Sequence, residues 1–195
     1  LSPSFFIFEN VKGLIQTHKH KVFFDELVVL LEESGYAIDY KLLNALDYGV
    51  PQDRERVILV GIKKDFFKSI YKTEYISGLK WYPWPIPKYP NAKQLFGVNN
   101  SVIPNELKVG TYVMNQEELI KLANSNEYFI PKSNKFNEIE EGDTSRKSFK
   151  RLHRDKYSPT VAYGNNEVHL HPVLPRRLSV REALRLQTVP DSYVV

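Results

Sequence analysis

No cysteine occurs among the 195 residues. That absence excludes disulfides, cysteine-ligated zinc and thiol nucleophiles within this chain. Long apolar runs are also missing, and stretches such as residues 57–60 stop far short of the roughly 20 residues a membrane helix needs. The chain therefore reads as soluble, with no membrane partner. No GxGxxG or comparable phosphate or adenosine cradle is present. Leu1-Ser2-Pro3-Ser4 carries neither an initiator Met nor the basic and apolar regions of a signal peptide, so the start reads as an internal cut.

The composition that remains is that of an ordinary folded protein, with 42% hydrophobic and 26% charged residues. The length suits one substantial core or two small ones, since a typical domain has roughly 100 to 150 residues. A net charge of +4 and a pI near 9.0 agree with a polyanionic partner without requiring one.

Phe5-Phe6-Ile7-Phe8 is a short apolar run stopping at Glu9, the pattern of a strand buried on both faces that delivers a polar group at its C-terminal end. Ligands bind at that end in open α/β sheets. Phe23, Leu27, Leu30 and Leu31 recur at helical spacing over residues 21–34, and Gly35 stands where a left-handed cap belongs. Residues 36–43 and 56–62 read as strands joined by a loop containing Tyr48-Gly49-Val50-Pro51-Gln52. Residues 81–90 hold four prolines among Trp81, Tyr82, Trp84 and Tyr89, an irregular connector pinned by its aromatics. A helix is expected over residues 116–123, capped by Asn115 with Glu118 three residues on. Residues 124–150 are polar and loop-like. Ser179 and Glu182 have capping-box spacing ahead of Ala183, Leu184 and Leu186, and Pro190 stops that helix.

Three blocks in fixed order carry the chemistry: Glu9-Asn10-Val11 after the first strand, Pro51-Gln52-Asp53-Arg54-Glu55-Arg56 with its lead-in from Asn44, and Arg176-Arg177-Leu178-Ser179-Val180-Arg181-Glu182-Ala183 near the end. Together they resemble the later motifs of the DNA cytosine-5 methyltransferases of bacterial restriction-modification systems. The resemblance covers residues 5–193 and is weakest between 64 and 145. It implies an α/β fold: part of a Rossmann-like methyltransferase sheet plus a smaller, irregular mixed α/β target-recognition lobe. The expected organisation is a catalytic portion over residues 1–65, a connector over 66–90, the recognition domain over 91–178, and a helix over 179–195 returning to the catalytic domain.

In that family a thiolate adds to C6 of cytosine, and C5 then attacks the methyl group of S-adenosyl-L-methionine. The resemblance makes Glu9 the carboxyl that holds a proton against N3 of the ring, where burial favours the neutral acid. Arg56 takes the exocyclic O2 in its planar fork, and Arg54 and Gln52 shape the same wall. A lone Arg-x-Arg would more simply pair with Asp53 or Glu55 as surface charge; Glu9 upstream favours the functional reading. The target base has to be rotated out of the duplex to reach such a pocket.

Residues 148–166 resemble the target-recognition region of the same enzymes, with Thr160-Val161 as its Thr-hydrophobic signature near the flipped base. Lys150, Arg151, Arg154 and Lys156 are candidate phosphate contacts, and Asn165 and Asn166 candidate readers of base edges. His169 and His171 share a strand face but have no carboxylate or cysteine at ligand spacing, so no metal is expected. His18 and His20 are expected to be exposed near a DNA-facing edge.

The cofactor loop, the nucleophile loop and the final cofactor-side motif of that family do not occur in these residues. The expectation is therefore a fragment, inactive by itself, whose partners are double-stranded DNA and the missing N-terminal catalytic portion. S-adenosyl-L-methionine would bind mostly outside this chain, and the resemblance implies a bacterial cytoplasmic setting. The competing reading is a non-catalytic DNA-binding module or degenerate homologue.

Overall fold

The computed structural model describes residues 2–97, 102–129, 134–145, 148–160 and 168–195. In chain order, its elements are β1 (Phe5–Val11), α1 (Gly13–Gln16), α2 (His18–Glu33), β2 (Tyr36–Asn44), β3 (Gln52–Asp53), β4 (Glu55–Lys63) and α3 (Lys64–Tyr71). They continue with α4 (Ala92–Gly97), α5 (Val109–Val113), α6 (Gln116–Leu119), β5 (Phe149–Arg151), β6 (Ser158–Pro159), β7 (Val168–Leu170) and α7 (Val180–Arg185). The fold is mixed α/β in two compact units, Leu1–Asn44 with Glu55–Ile86 and Ala45–Arg54 with Pro87–Val195.

The first unit is built on a three-stranded sheet in the order β1-β4-β2, with β4 antiparallel to both neighbours. β1 and β2 consequently run parallel, joined by the α1–α2 crossover, with β4 inserted between them. One sheet face carries Phe6, Phe8, Val57, Leu59, Tyr36 and Ile38 against Phe24, Val28 and Leu31 of α2. The helix extends over the expected residues, but its inward stripe is turned by one position: Phe24 is fully buried, whereas Phe23 and Leu30 are 59% and 58% exposed. Both stripes have helical spacing, and only packing chooses between them. Gly35 takes a φ of +91° just beyond the helix, as its cap position requires.

The both-faces burial expected for the first strand is not observed. β1 is an edge strand of alternating exposure, with Phe5 and Ile7 48% and 59% exposed on the face away from α2. Nearer β2, that second face is covered by α3 and the segment after it, where Phe67, Tyr71, Tyr75 and Trp81 form edge or tilted ring contacts. The buried carboxylate of Asp39 on β2 pins this segment. Its Oδ2 accepts the backbone N–H groups of Trp81 and Tyr82 and the indole N–H of Trp84, while Lys80 Nζ stands 3.1 Å from Oδ1. The aromatic stretch expected as a connector pinned by its aromatics belongs, up to Ile86, to the first unit.

The second unit has little regular structure and several small cores. Leu46, Ala92, Ile103 and Leu107 form one; Val109, Val113, Leu152, Leu178 and Leu186 form another. Two short parallel ribbons, β3 with β6 and β5 with β7, cross-link the irregular segments. Asn115 Oδ1 accepts the Glu118 N–H, as its cap position predicts, although α6 ends at Leu119 rather than Ala123. The capping box at α7 forms as expected: Ser179 Oγ accepts the Glu182 N–H, and Glu182 Oε2 accepts the Ser179 N–H.

Glu182 does more than cap. Its buried carboxylate receives a two-pronged bond from Arg176, 2.7 Å at each oxygen, and a third from Gln116. Burial alone would raise the Glu182 pKa, but the Arg176 fork outweighs it and holds the carboxyl below its ordinary range. Fully buried Arg181 donates to the carbonyls of Ala123, Pro190 and Tyr193, tying the end of the chain to this unit.

Candidate active site and recognition residues

Within the first unit, Glu9 and Arg56 converge on the second face of the sheet. In register Glu9 faces Ile58 and Arg56 faces Val11, so the two are diagonal neighbours on one face. Arg56 Nε lies 2.7 Å from Glu9 Oε1, with side-chain exposures of 21% and 50%. Arg56 Nη1 donates to the Glu55 carbonyl. Its Nη2 makes no hydrogen bond among the described residues, and Glu9 keeps a second carboxylate oxygen open. A carboxylate and a planar donor thus face outward side by side.

A second ion pair flanks the first. Lys12 Nζ lies 2.5 Å from Glu55 Oε2, joining the residue after Glu9-Asn10-Val11 to the residue before Arg56. Sequence reasoning missed this pair, although a lysine directly after the acidic tripeptide was a signal for it.

The Gln-x-Arg-x-Arg block divides between the units. Glu55 and Arg56 open β4 in the first, while Gln52, Asp53 and Arg54 belong to the second. There Asp53 is held on three sides. Its β3 strand pairs with Ser158–Pro159, its carbonyl accepts the Thr160 hydroxyl at 2.7 Å, and its carboxylate meets Lys93 Nζ at 2.7 Å. Arg54 is half-buried, and its carbonyl accepts the Ala45 N–H. Gln52 is fully buried, and neither amide atom has a hydrogen-bond partner among the described residues. The side chain expected to line a DNA wall is therefore buried.

Two of the four basic residues expected on phosphates are engaged elsewhere, and Lys156 is exposed. Arg151 is only 6% exposed, and its guanidinium donates to the carbonyls of Ile139, His171, Leu174 and Phe136. The expectation of a phosphate contact is corrected here: four N–H bonds to backbone make Arg151 a clamp of its own unit. Arg154 forms a forked pair with Glu141, which its guanidinium pulls down to about 2 despite partial burial. Lys150 is half-buried on β5 opposite His169. Val161, Asn165 and Asn166 lie outside the described residues.

His171 accepts the N–H groups of Val173 and Leu174 at Nδ1, which leaves Nε2–H to donate to the Val113 carbonyl. Burial lowers its pKa further than neighbouring Glu182 raises it, so the ring is a neutral structural hub. Among the described residues, no group of three or more His, Cys, Asp or Glu could hold a metal ion, and no helix is long and apolar enough to cross a membrane.

A type II methyltransferase of Neisseria meningitidis serogroup C, M.NmeDI, is 44% identical over 197 residues, covering 98% of this chain and 46% of that protein. M.FnuDI of Fusobacterium nucleatum is 30% identical, covering 99% of this chain and 56% of its own. The chain thus spans about half the length of these relatives. Among solved structures, a putative DNA modification methyltransferase from an E. coli prophage superposes with a TM-score of 0.50 at 22% identity, over 98% of this chain and 60% of that one. The S. pombe Dnmt2 methyltransferase gives 0.51 at 13% identity, over 96% and 55%. At such identities the two show a shared fold alone. The C-5 cytosine-specific DNA methylase family profile matches residues 1–195, and the chain belongs to that family.

Proposed function

We propose that this chain is the C-terminal portion of a DNA cytosine-5 methyltransferase, supplying the wall that holds the extruded cytosine. The Glu9–Arg56 pair carries this reading. A carboxylic acid at Glu9 donates from its second oxygen to N3 of the ring while its first stays beside Arg56 Nε. Arg56 Nη2 is then placed to bind O2. Both bonds strengthen as negative charge develops on the ring, so they lower the barrier rather than merely bind substrate.

S-adenosyl-L-methionine supplies the methyl group in this family reaction. The described residues offer no glycine-rich turn after a strand to take it, and its site is proposed to lie mostly outside this chain. The nucleophile is assigned outside as well, since no thiol is present. Arg54, Lys150, Thr160, Val161, Asn165 and Asn166 remain proposed contributors to the DNA-facing surface.

The test is complementation. The chain is mixed with a polypeptide carrying the cofactor and nucleophile loops of a close relative, and transfer of labelled methyl to duplex DNA is measured. Restored transfer supports the reading. Binding of DNA without transfer would favour a module that recognises DNA but does no chemistry.

A further inference from the structure

We propose that the exposed basic segment over residues 12–21 rests on duplex phosphates flanking the target base, an assignment that depends on the DNA reading above. These ten residues contain Lys12, His18, Lys19, His20 and Lys21 and no acid. All five basic side chains are exposed. Lys12 is paired with Glu55 and Lys21 with Asp25, whereas His18, Lys19 and His20 have no polar partner among the described residues. Three adjacent donors therefore face solvent, within twelve residues of Glu9 in the same unit.

Folding stability does not account for this arrangement. The four residues His18 to Lys21 open a 16-residue helix whose first turn has no acid and no side-chain cap. Positive charge there opposes the helix dipole, so the sequence carries a local cost that an anionic partner would remove. The side chains, not the helix end, are the proposed contacts. Lys19 brings a full charge, and each imidazole offers an N–H donor even when neutral. Such contacts fix register on the duplex and carry no sequence information.

The experiment titrates this chain with a short duplex of arbitrary sequence at several salt concentrations, following anisotropy, alongside thermal melts. Lys19→Ala should lower the log–log salt slope by about 0.9, the loss expected for one phosphate contact. His18→Ala with His20→Ala should weaken binding several-fold, and Lys19→Arg should leave the slope intact. Because Lys19→Ala relieves the dipole clash, its Tm should rise while its DNA affinity falls. A raised Tm with an unchanged slope and affinity would make the segment a solvated face and overturn the proposal, leaving the methyltransferase reading standing. Weaker binding to phosphatidylserine vesicles without any change on DNA would also overturn it. If the wild-type chain shows no salt-dependent duplex binding, this proposal falls, whereas restored methyl transfer on complementation would still uphold the catalytic reading.

Discussion

Arg56 Nε and Glu9 Oε1 stand 2.7 Å apart across neighbouring antiparallel strands, one diagonal step out of register and on the sheet face away from the α2 core. The pair therefore adds little to packing, and its chemical and structural contributions can be separated by experiment.

Arg56→Lys keeps the charge but loses the planar fork that reaches Glu9 and a base oxygen together. An exposed ion pair is worth about 0–1 kcal/mol, so the melting temperature should move little. Methyl transfer by the complemented enzyme should nonetheless fall at least tenfold. A large loss of stability with normal turnover would make the pair a structural clasp.

Arg151→Met should destabilise the second unit by about 3 kcal/mol or more, since several carbonyls lose their donor and each orphaned buried group costs roughly 1–3 kcal/mol. Denaturant unfolding measures this loss. The salt slope of DNA binding by the folded fraction should stay unchanged, because the guanidinium is spent on backbone.

The Glu141–Arg154 pair predicts an acid-sensitive window. Glu141 has an ordinary value of 4.5 and is lowered to about 2 in the fold, so its contribution is complete above pH 4.5 and disappears as pH falls towards 2. Arg154→Gln should flatten stability against pH across that window while leaving the profile above pH 5 parallel to wild type. Unfolding curves at a series of pH values would check it.

Gly110→Ala tests the close approach beneath the same arginine. A Cβ at Gly110 would lie 2.8 Å from the Arg154 carbonyl oxygen, a backbone atom with no rotamer to move. The Gly110 N–H also donates to that oxygen. Destabilisation of about 1–3 kcal/mol is expected from the overpacking, read as a lower denaturant midpoint.

Much of the first unit was legible because its signals are local. The Phe-rich strand that carries Glu9, the left-handed Gly35 and the two later strands each follow from short-range patterns. Pairing was not legible: nothing local reveals that β4 inserts between β1 and β2, which leaves Phe5 and Ile7 on an uncovered edge. The choice of Phe24 over Phe23 as the helix anchor was likewise a tertiary decision. In the second unit, a row of cations reads as surface until its partners are known. Arg151 is buried only because four carbonyls from distant segments gather around it, and that gathering leaves no trace in the spacing. The Glu9–Arg56 contact is the converse, since the motifs named both residues although 47 positions separate them.

The most direct test compares wild type with Glu9→Gln in single-turnover methyl transfer by the complemented enzyme on duplex DNA. Glutamine keeps the shape and an acceptor oxygen but cannot hold a transferable proton against N3. A rate loss of about 10²- to 10⁴-fold, the usual span for a proton-transferring side chain, is predicted with DNA affinity nearly unchanged. Transfer at the wild-type rate would contradict the role assigned to Glu9.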